Sequence, residues 1–205
     1  ANTAATVNET FTLTRGTLAD GGNTITALGN ISNSATHTGA GSITVGTGGA
    51  TSHNITGSGS GIFGNLTLNS TSGVNLTANT TVNGALTFTA VGLFYIDNKL
   101  LRLGVSATIV GAGSTKYIKT NGTLADAGVT KTYPTGVLDF TFAIGVAGKY
   151  TPVRYNVTAN TDATGGTITI KPVNTKHPTT TDASNLELAY YWNVVSTGFA
   201  TGLSV

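Results

Sequence analysis

The chain has 205 residues, among them 41 Thr and 28 Gly, with no Cys, Met or Gln, and only 18 residues carry a formal charge. A net charge of +2 without clusters of Lys and Arg argues against a nucleic-acid partner, and the lack of Cys excludes disulfides, thiolate chemistry and Cys-ligated zinc. No apolar run is long enough to cross a membrane as a helix, and at 9% charged the surface must be wetted by hydroxyls, amides and bare backbone.

Residues 1–94 hold three charges, Glu9, Arg15 and Asp20, and read as short alternating segments separated by Gly, Asn and Ser. In chain order these are FTL at 11–13, TIT at 24–26, SITV at 42–45, NLTL at 65–68, ALTF at 85–88 and LLRL at 100–103. Period-2 alternation rich in Thr, Ile, Val and Leu is a strand signal, and nothing here has helical period. Recurrence every 15 to 23 residues, roughly, predicts a solenoid in which each turn repeats one unit. The expectation is a Thr/Gly/Asn-rich β-helix over 1–115, with Leu66, Leu68, Leu86 and Phe88 in inward columns and Thr outward. Asn65, Asn83 and Asn98 would bond local backbone at corners, where Gly29, Gly64, Gly84 and Gly104 allow tight turns. The Gly-rich stretch at 57–64 lacks the Lys and the following helix of a phosphate loop, so it too reads as a corner.

From GAGSTKYIKTNG (111–122) onward the character changes: longer, more aromatic strands carry most of the charge. With YIKT, LDFTFAIG, KYTPVRYNVTA, GGTITIKPV and LELAYYWNVV spaced by turns, and Pro134, Pro152, Pro172 and Pro178 at their starts and turns, 116–205 is expected to form an antiparallel β-sandwich. The apolar pattern of GFATGLSV stops at Val205, so the module is expected to be truncated there.

The segments FGNLTLNSTSGVNLTANTTVNGALTF (63–88), NKLLRLG (98–104), YIKTNGT (117–123), YPTGV (133–137), YTPVRYNVT (150–158) and YYWNVV (190–195) resemble large secreted surface proteins of Bacteroidota. That resemblance implies a β-helix followed by a sandwich module, export to the cell surface by the type IX route, and roles in adhesion, gliding or extracellular filaments. No catalytic residue and no cofactor come with it.

Candidate chemistry is sparse. His37, His53 and His177 lie in polar surroundings without HxH or HxxxH spacing, so each is expected to face solvent and no metal is assigned. Glu9, Asp20 and Asp97 are too few to build a polysaccharide-cleaving groove, and Asp126, Asp139, Asp162 and Asp182 are dispersed in turns without a calcium-loop pattern, so no enzyme is expected. Thr-x-Thr triplets raise ice binding, but their spacing is irregular and alternating Thr is ordinary filler of a solvent-facing strand. Asn-x-Thr triplets follow from composition alone. In YYWNVV, alternation sends Tyr190 and Trp192 to one face and Tyr191 to the other, which makes Tyr190 and Trp192 the candidate glycan-stacking pair. The expected function is a non-catalytic structural module of a larger extracellular adhesin or filament. A carbohydrate-binding module or a self-assembling filament subunit is the alternative, and the partners are neighbouring domains, like subunits or surface glycans.

Overall fold

A computed structural model describes residues 3–160, 165–180, 186–199 and 203–204. Among these residues there is no helix, and the strands are wound into coils of three. The first coil contributes β1 (Ala5–Val7), β2 (Phe11–Leu13) and β3 (Thr17–Ala19), and the second β4 (Ile25–Ala27), β5 (Ile31–Asn33) and β6 (Thr36–Thr38). In the third lie β7 (Ile43–Val45), β8 (His53–Thr56) and β9 (Gly61–Phe63), and in the fourth β10 (Leu66–Leu68), β11 (Val74–Leu76) and β12 (Thr80–Val82). The fifth holds β13 (Ala85–Phe88), β14 (Phe94–Asp97) and β15 (Leu100–Leu103), and the sixth β16 (Thr108–Val110), β17 (Ile118–Thr120) and β18 (Gly128–Tyr133). Equivalent strands pair in parallel with the coil before, giving a β-solenoid with three faces.

Three-residue strands suffice because most read inward, outward, inward, while β3, β6 and β16 turn their middle residues inward, Leu18, His37 and Ile109. Leu66, Thr67 and Leu68 are buried, half-buried and buried, and the pattern repeats in β5, β7, β9, β11 and β12. On the first face Ile25, Ile43, Leu66, Leu86 and Ile109 stack in register, and on the third Phe63, Val82 and Leu103 do the same. Burying one such Leu or Phe contributes about 2 kcal/mol, so a column many coils long offsets the poor intrinsic stability of each short strand. Threonines 6, 26, 44, 67 and 87 form one outward rank on the first face. Their irregular spacing in sequence reflects corners of unequal length, not irregular register.

Asparagine side chains lock these corners. Asn65 accepts the Ala85 amide at 2.8 Å and donates to the Gly41 carbonyl at 2.7 Å, bridging the third, fourth and fifth coils. Asn79 accepts the Leu100 amide at 2.9 Å. Gly84 is needed for space, since a Cβ there would lie 2.2 Å from Asn65 Oδ1.

Beyond the sixth coil come β19 (Leu138–Phe142), β20 (Ile144–Val146), β21 (Lys149–Tyr150), β22 (Val153–Val157), β23 (Ala159–Asn160), β24 (Gly166–Val173), β25 (Tyr191–Thr197) and β26 (Leu203–Ser204). The second face continues with β20, parallel to β17, and β21, antiparallel to β20. The third continues with β24, antiparallel to β18, and then β25. Residues 116–133, grouped on composition with the later part, therefore form β17 and β18 and stack directly on the fifth coil. The first face ends at β16. A β19–β22 antiparallel pair lies outside these three sheets, and its Phe140 and Phe142 belong to the same apolar core as Leu101, Val129, Ile168 and Ile170.

Lys131 closes the solenoid interior. It occupies the position in register with Leu103, and its Nζ donates to the carbonyls of Gly104, of Val105 at 2.7 Å and of Ala107 at 2.9 Å. One coil earlier the equivalent Gly84 carbonyl accepts the Thr108 amide. With no further strand on the first face, the ammonium supplies the donors that a next coil would have brought. Phe140 lies 5.0 Å beneath it, and burial pushes the amine down to about 8, leaving it largely protonated at neutral pH.

Candidate functional site

Two of the three histidines depart from expectation. His37 is fully buried, and its Nε2–H donates to Asp20 at 2.9 Å while its Nδ1 accepts the Gly64 amide at 3.2 Å. Because a backbone amide can only donate, this geometry selects the neutral Nε2–H tautomer. Asp20 Oδ1 also accepts the amides of Gly22 at 2.7 Å and Gly41 at 3.1 Å. Burial by itself would raise the Asp20 carboxyl, but the Gly22, Gly41 and His37 hydrogen bonds outweigh it and hold the group below its ordinary value. His53 is buried on the inner side of the second face, with Nδ1–H donating to the Gly29 carbonyl at 3.0 Å. Solvent-facing placement fails for both because a satisfied imidazole fits the interior as well as an apolar side chain does. His177 is exposed, against Thr179. Among the described residues no three of His, Cys, Asp or Glu come together as a metal would require.

Asp139 pairs with Arg154 across β19 and β22 at the surface, and Asp126 accepts the Gly122 and Thr123 amides and the Thr123 hydroxyl within its own turn. Asp97 pairs with Lys119 at 3.1 Å. Asp162 and Asp182 lie outside the described residues. A shallow groove of about 370 Å³, lined by Val105, Thr132, Tyr133, Gly166, Thr167 and Thr197, holds only one ionisable group, Tyr133. Its phenol donates to the Tyr155 carbonyl at 3.1 Å and is raised by burial, which keeps it in the neutral O–H form.

Tyr190 and Trp192 do stand together, edge to face at 5.4 Å, with Tyr191 against His177 instead. The Trp192 indole is half-buried against the core, and its N–H donates to the Thr151 carbonyl at 3.0 Å. Lys176 and Glu187 form an ion pair at 2.6 Å nearby in sequence.

A second cluster was not singled out from the sequence. On the outer side of the second face Asn54, Asn75, Tyr95 and Lys119 stand in register on successive coils. The Tyr95 ring lies against Gly73, where a Cβ would come within 2.6 Å of it, and Lys119 Nζ sits 5.4 Å from the ring centroid. Only register assembles these residues; the sequence signal was the break in Thr filler at FYIDNK, residues 94–99.

The fold defines the protein as a parallel β-solenoid closed by antiparallel strands. No family model matches the chain, and neither curated proteins nor solved structures give a significant match. Among the described residues no helix is long and apolar enough to cross a membrane.

Proposed function

We propose that this chain is a structural module of a larger extracellular surface protein, an adhesin or filament, and that it works as a scaffold without catalysis. The observation that carries this reading is the parallel pairing of equivalent strands through all six coils with one continuous apolar core. Ionisable groups support it too: Asp20, His37, His53 and Lys131 are occupied in holding coils together. The sequence resemblance supports export to the cell surface and the type IX route. On this reading the later strands act as a sandwich-like closing module, with β19 and β22 opposed to β18 and β24; the shared burial of Phe140, Phe142, Ile168 and Ile170 supports that arrangement. Antibodies against the chain should label intact producing cells. Labelling only after lysis would overturn the surface placement, and measurable polysaccharide turnover would overturn the scaffold reading.

One observation favours a second reading, association with like subunits. β25 pairs only with β24 among the described residues, has no charged residue from Tyr191 to Thr197, and leaves Val194 and Val195 each 43% exposed. Unprotected edges of this kind pair with other strands. Concentration-dependent assembly abolished by Val195→Lys would support this reading, and monomers at all concentrations would sink it.

A further inference from the structure

We propose that the outer side of the second face carries a binding strip for an extended, neutral, 1,4-linked glycan, built from Asn54, Asn75, Tyr95, Asp97 and Lys119. This site is separate from Tyr190 and Trp192 and does not depend on the scaffold reading.

Some polar outward side chains elsewhere on the solenoid bond back to it, and most of the rest are Thr or Ser hydroxyls. Thr77 donates to the Ile55 carbonyl, Thr89 to the Leu68 carbonyl, and Ser42 bonds Thr67. On the strip, amides, a phenol and an ion pair replace those hydroxyls. Asn75 donates to Asn54 Oδ1 at 3.2 Å and to Ser52 at 3.0 Å, which orients the two amides along the coil axis. That leaves the Asn54 side-chain Nδ2–H groups, Asn75 Oδ1, the Tyr95 hydroxyl and one Asp97 oxygen without a partner among the described residues. Asn54, Asn75 and Tyr95 thus present polar groups at steps of one coil, about 4.8 Å, with Asp97 beside Tyr95 on the same coil. One unit of an extended 1,4-linked pyranose chain advances by a similar distance, so successive sugars would meet successive coils.

Two local departures coincide at this place. Asp97 is the one residue other than glycine with left-handed backbone among the described residues, at φ 47°. The ladder between β14 and β17 shifts register between Tyr95 and Asp97. A bulge re-aims side chains, and here Asp97, half-exposed, is brought to Lys119 beside the Tyr95 ring. The ring provides the apolar wall that the C–H face of a pyranose requires, and the carboxylate can accept from hydroxyls on adjacent carbons. Since Asp97 neutralises Lys119, the strip favours an uncharged chain over a uronate. Helical glycans cannot stay in register with a straight column.

Titration calorimetry of the intact chain with cellohexaose, maltohexaose and a hexamer of galacturonic acid tests this. Cellohexaose should bind, and maltohexaose and the uronate should not. Tyr95→Ala and Asp97→Asn should each weaken cellohexaose binding at least 10-fold with far-UV spectra unchanged, and Trp192→Ala should leave it intact. Because Asp97→Asn keeps the turn chemistry and Asn54→Ala lies at the exposed end of the strip, these variants report even if Tyr95→Ala misfolds. No cellohexaose binding at millimolar concentration overturns the proposal. So does preference for the uronate, or loss of binding in Trp192→Ala with retention in Tyr95→Ala.

Discussion

Asp20 and His37 show how one buried polar pair can tie three coils together. Asp20 follows β3, His37 lies in β6 and Gly64 precedes β10, and each hydrogen bond along this relay has one donor and one acceptor. Asp20→Asn breaks that order: an amide N–H would face His37 Nε2–H, and switching the tautomer would set Nδ1–H against the Gly64 amide. The variant should lose about 2 kcal/mol at pH 7, as expected when a buried donor is left unmatched. Because the folded-state carboxyl is held below 3.8, its contribution is present above that pH and is lost as pH falls through the lower folded value. The gap between wild type and Asp20→Asn in urea melts should therefore narrow below about pH 4. Lys131 has the opposite sign. Its amine is depressed from 10.5 to about 8, so the unfolded chain holds the proton more tightly and the group penalises folding below that window. Relative to Lys131→Met, the wild type should gain stability as pH rises from about 8 to about 10. At pH 7 the Met variant should still be the weaker by about 2 kcal/mol, because three carbonyls lose their donors. An unchanged difference across that pH range, in paired thermal melts, would contradict a buried ammonium.

Strands are the scale at which the sequence was most readable. The segments at 11–13, 85–88 and 100–103 are strands as predicted, and those at 24–26, 42–45 and 65–68 overlap β4, β7 and β10. They nonetheless come from different faces, since β2 lies on the second, β4, β7, β10 and β13 on the first, and β15 on the third. Missed strands such as β8 (HNIT) and β12 (TTV) carry inward polar residues, His53 and Thr80, which disguise the alternation. Corners do carry Asn and Gly, but not for the predicted reason: Gly29, Gly84 and Gly104 lack a left-handed φ and are needed for space against the neighbouring coil, and Asn65 bonds residues of adjacent coils instead of local backbone. The Asn65–Gly84 pair tests this. Either Asn65→Ala or Gly84→Ala should destabilise by about 1–2 kcal/mol, one by removing the bridge and the other by forcing Asn65 out of it. The double variant should cost less than the sum by at least about 0.5 kcal/mol. Strict additivity would mean that the bridge and the missing Cβ are unrelated.

Across the whole molecule, continuity is the governing property. Parallel pairing of β14 with β17 and of β15 with β18 carries two faces straight through the compositional step near residue 115. Separately produced 1–115 and 116–205 pieces should expose different weaknesses: the second loses the parallel partners of β17 and β18 and the apolar floor under Phe140 and Phe142. Cooperative unfolding of 116–205 alone would show instead that the closing strands form an independent unit. Strand class, coil length, the low charge of the surface and the corner residues were determined by the sequence itself, because local alternation and turn chemistry act over a few neighbours. Only the tertiary structure decided the register, the burial of His37, His53 and Lys131, and the alignment of Asn54, Asn75, Tyr95 and Lys119. Alternation tells which side of its own strand a residue takes; which residue lies one coil away depends on corner length and on hydrogen bonds between residues some twenty positions apart, and no local pattern encodes that.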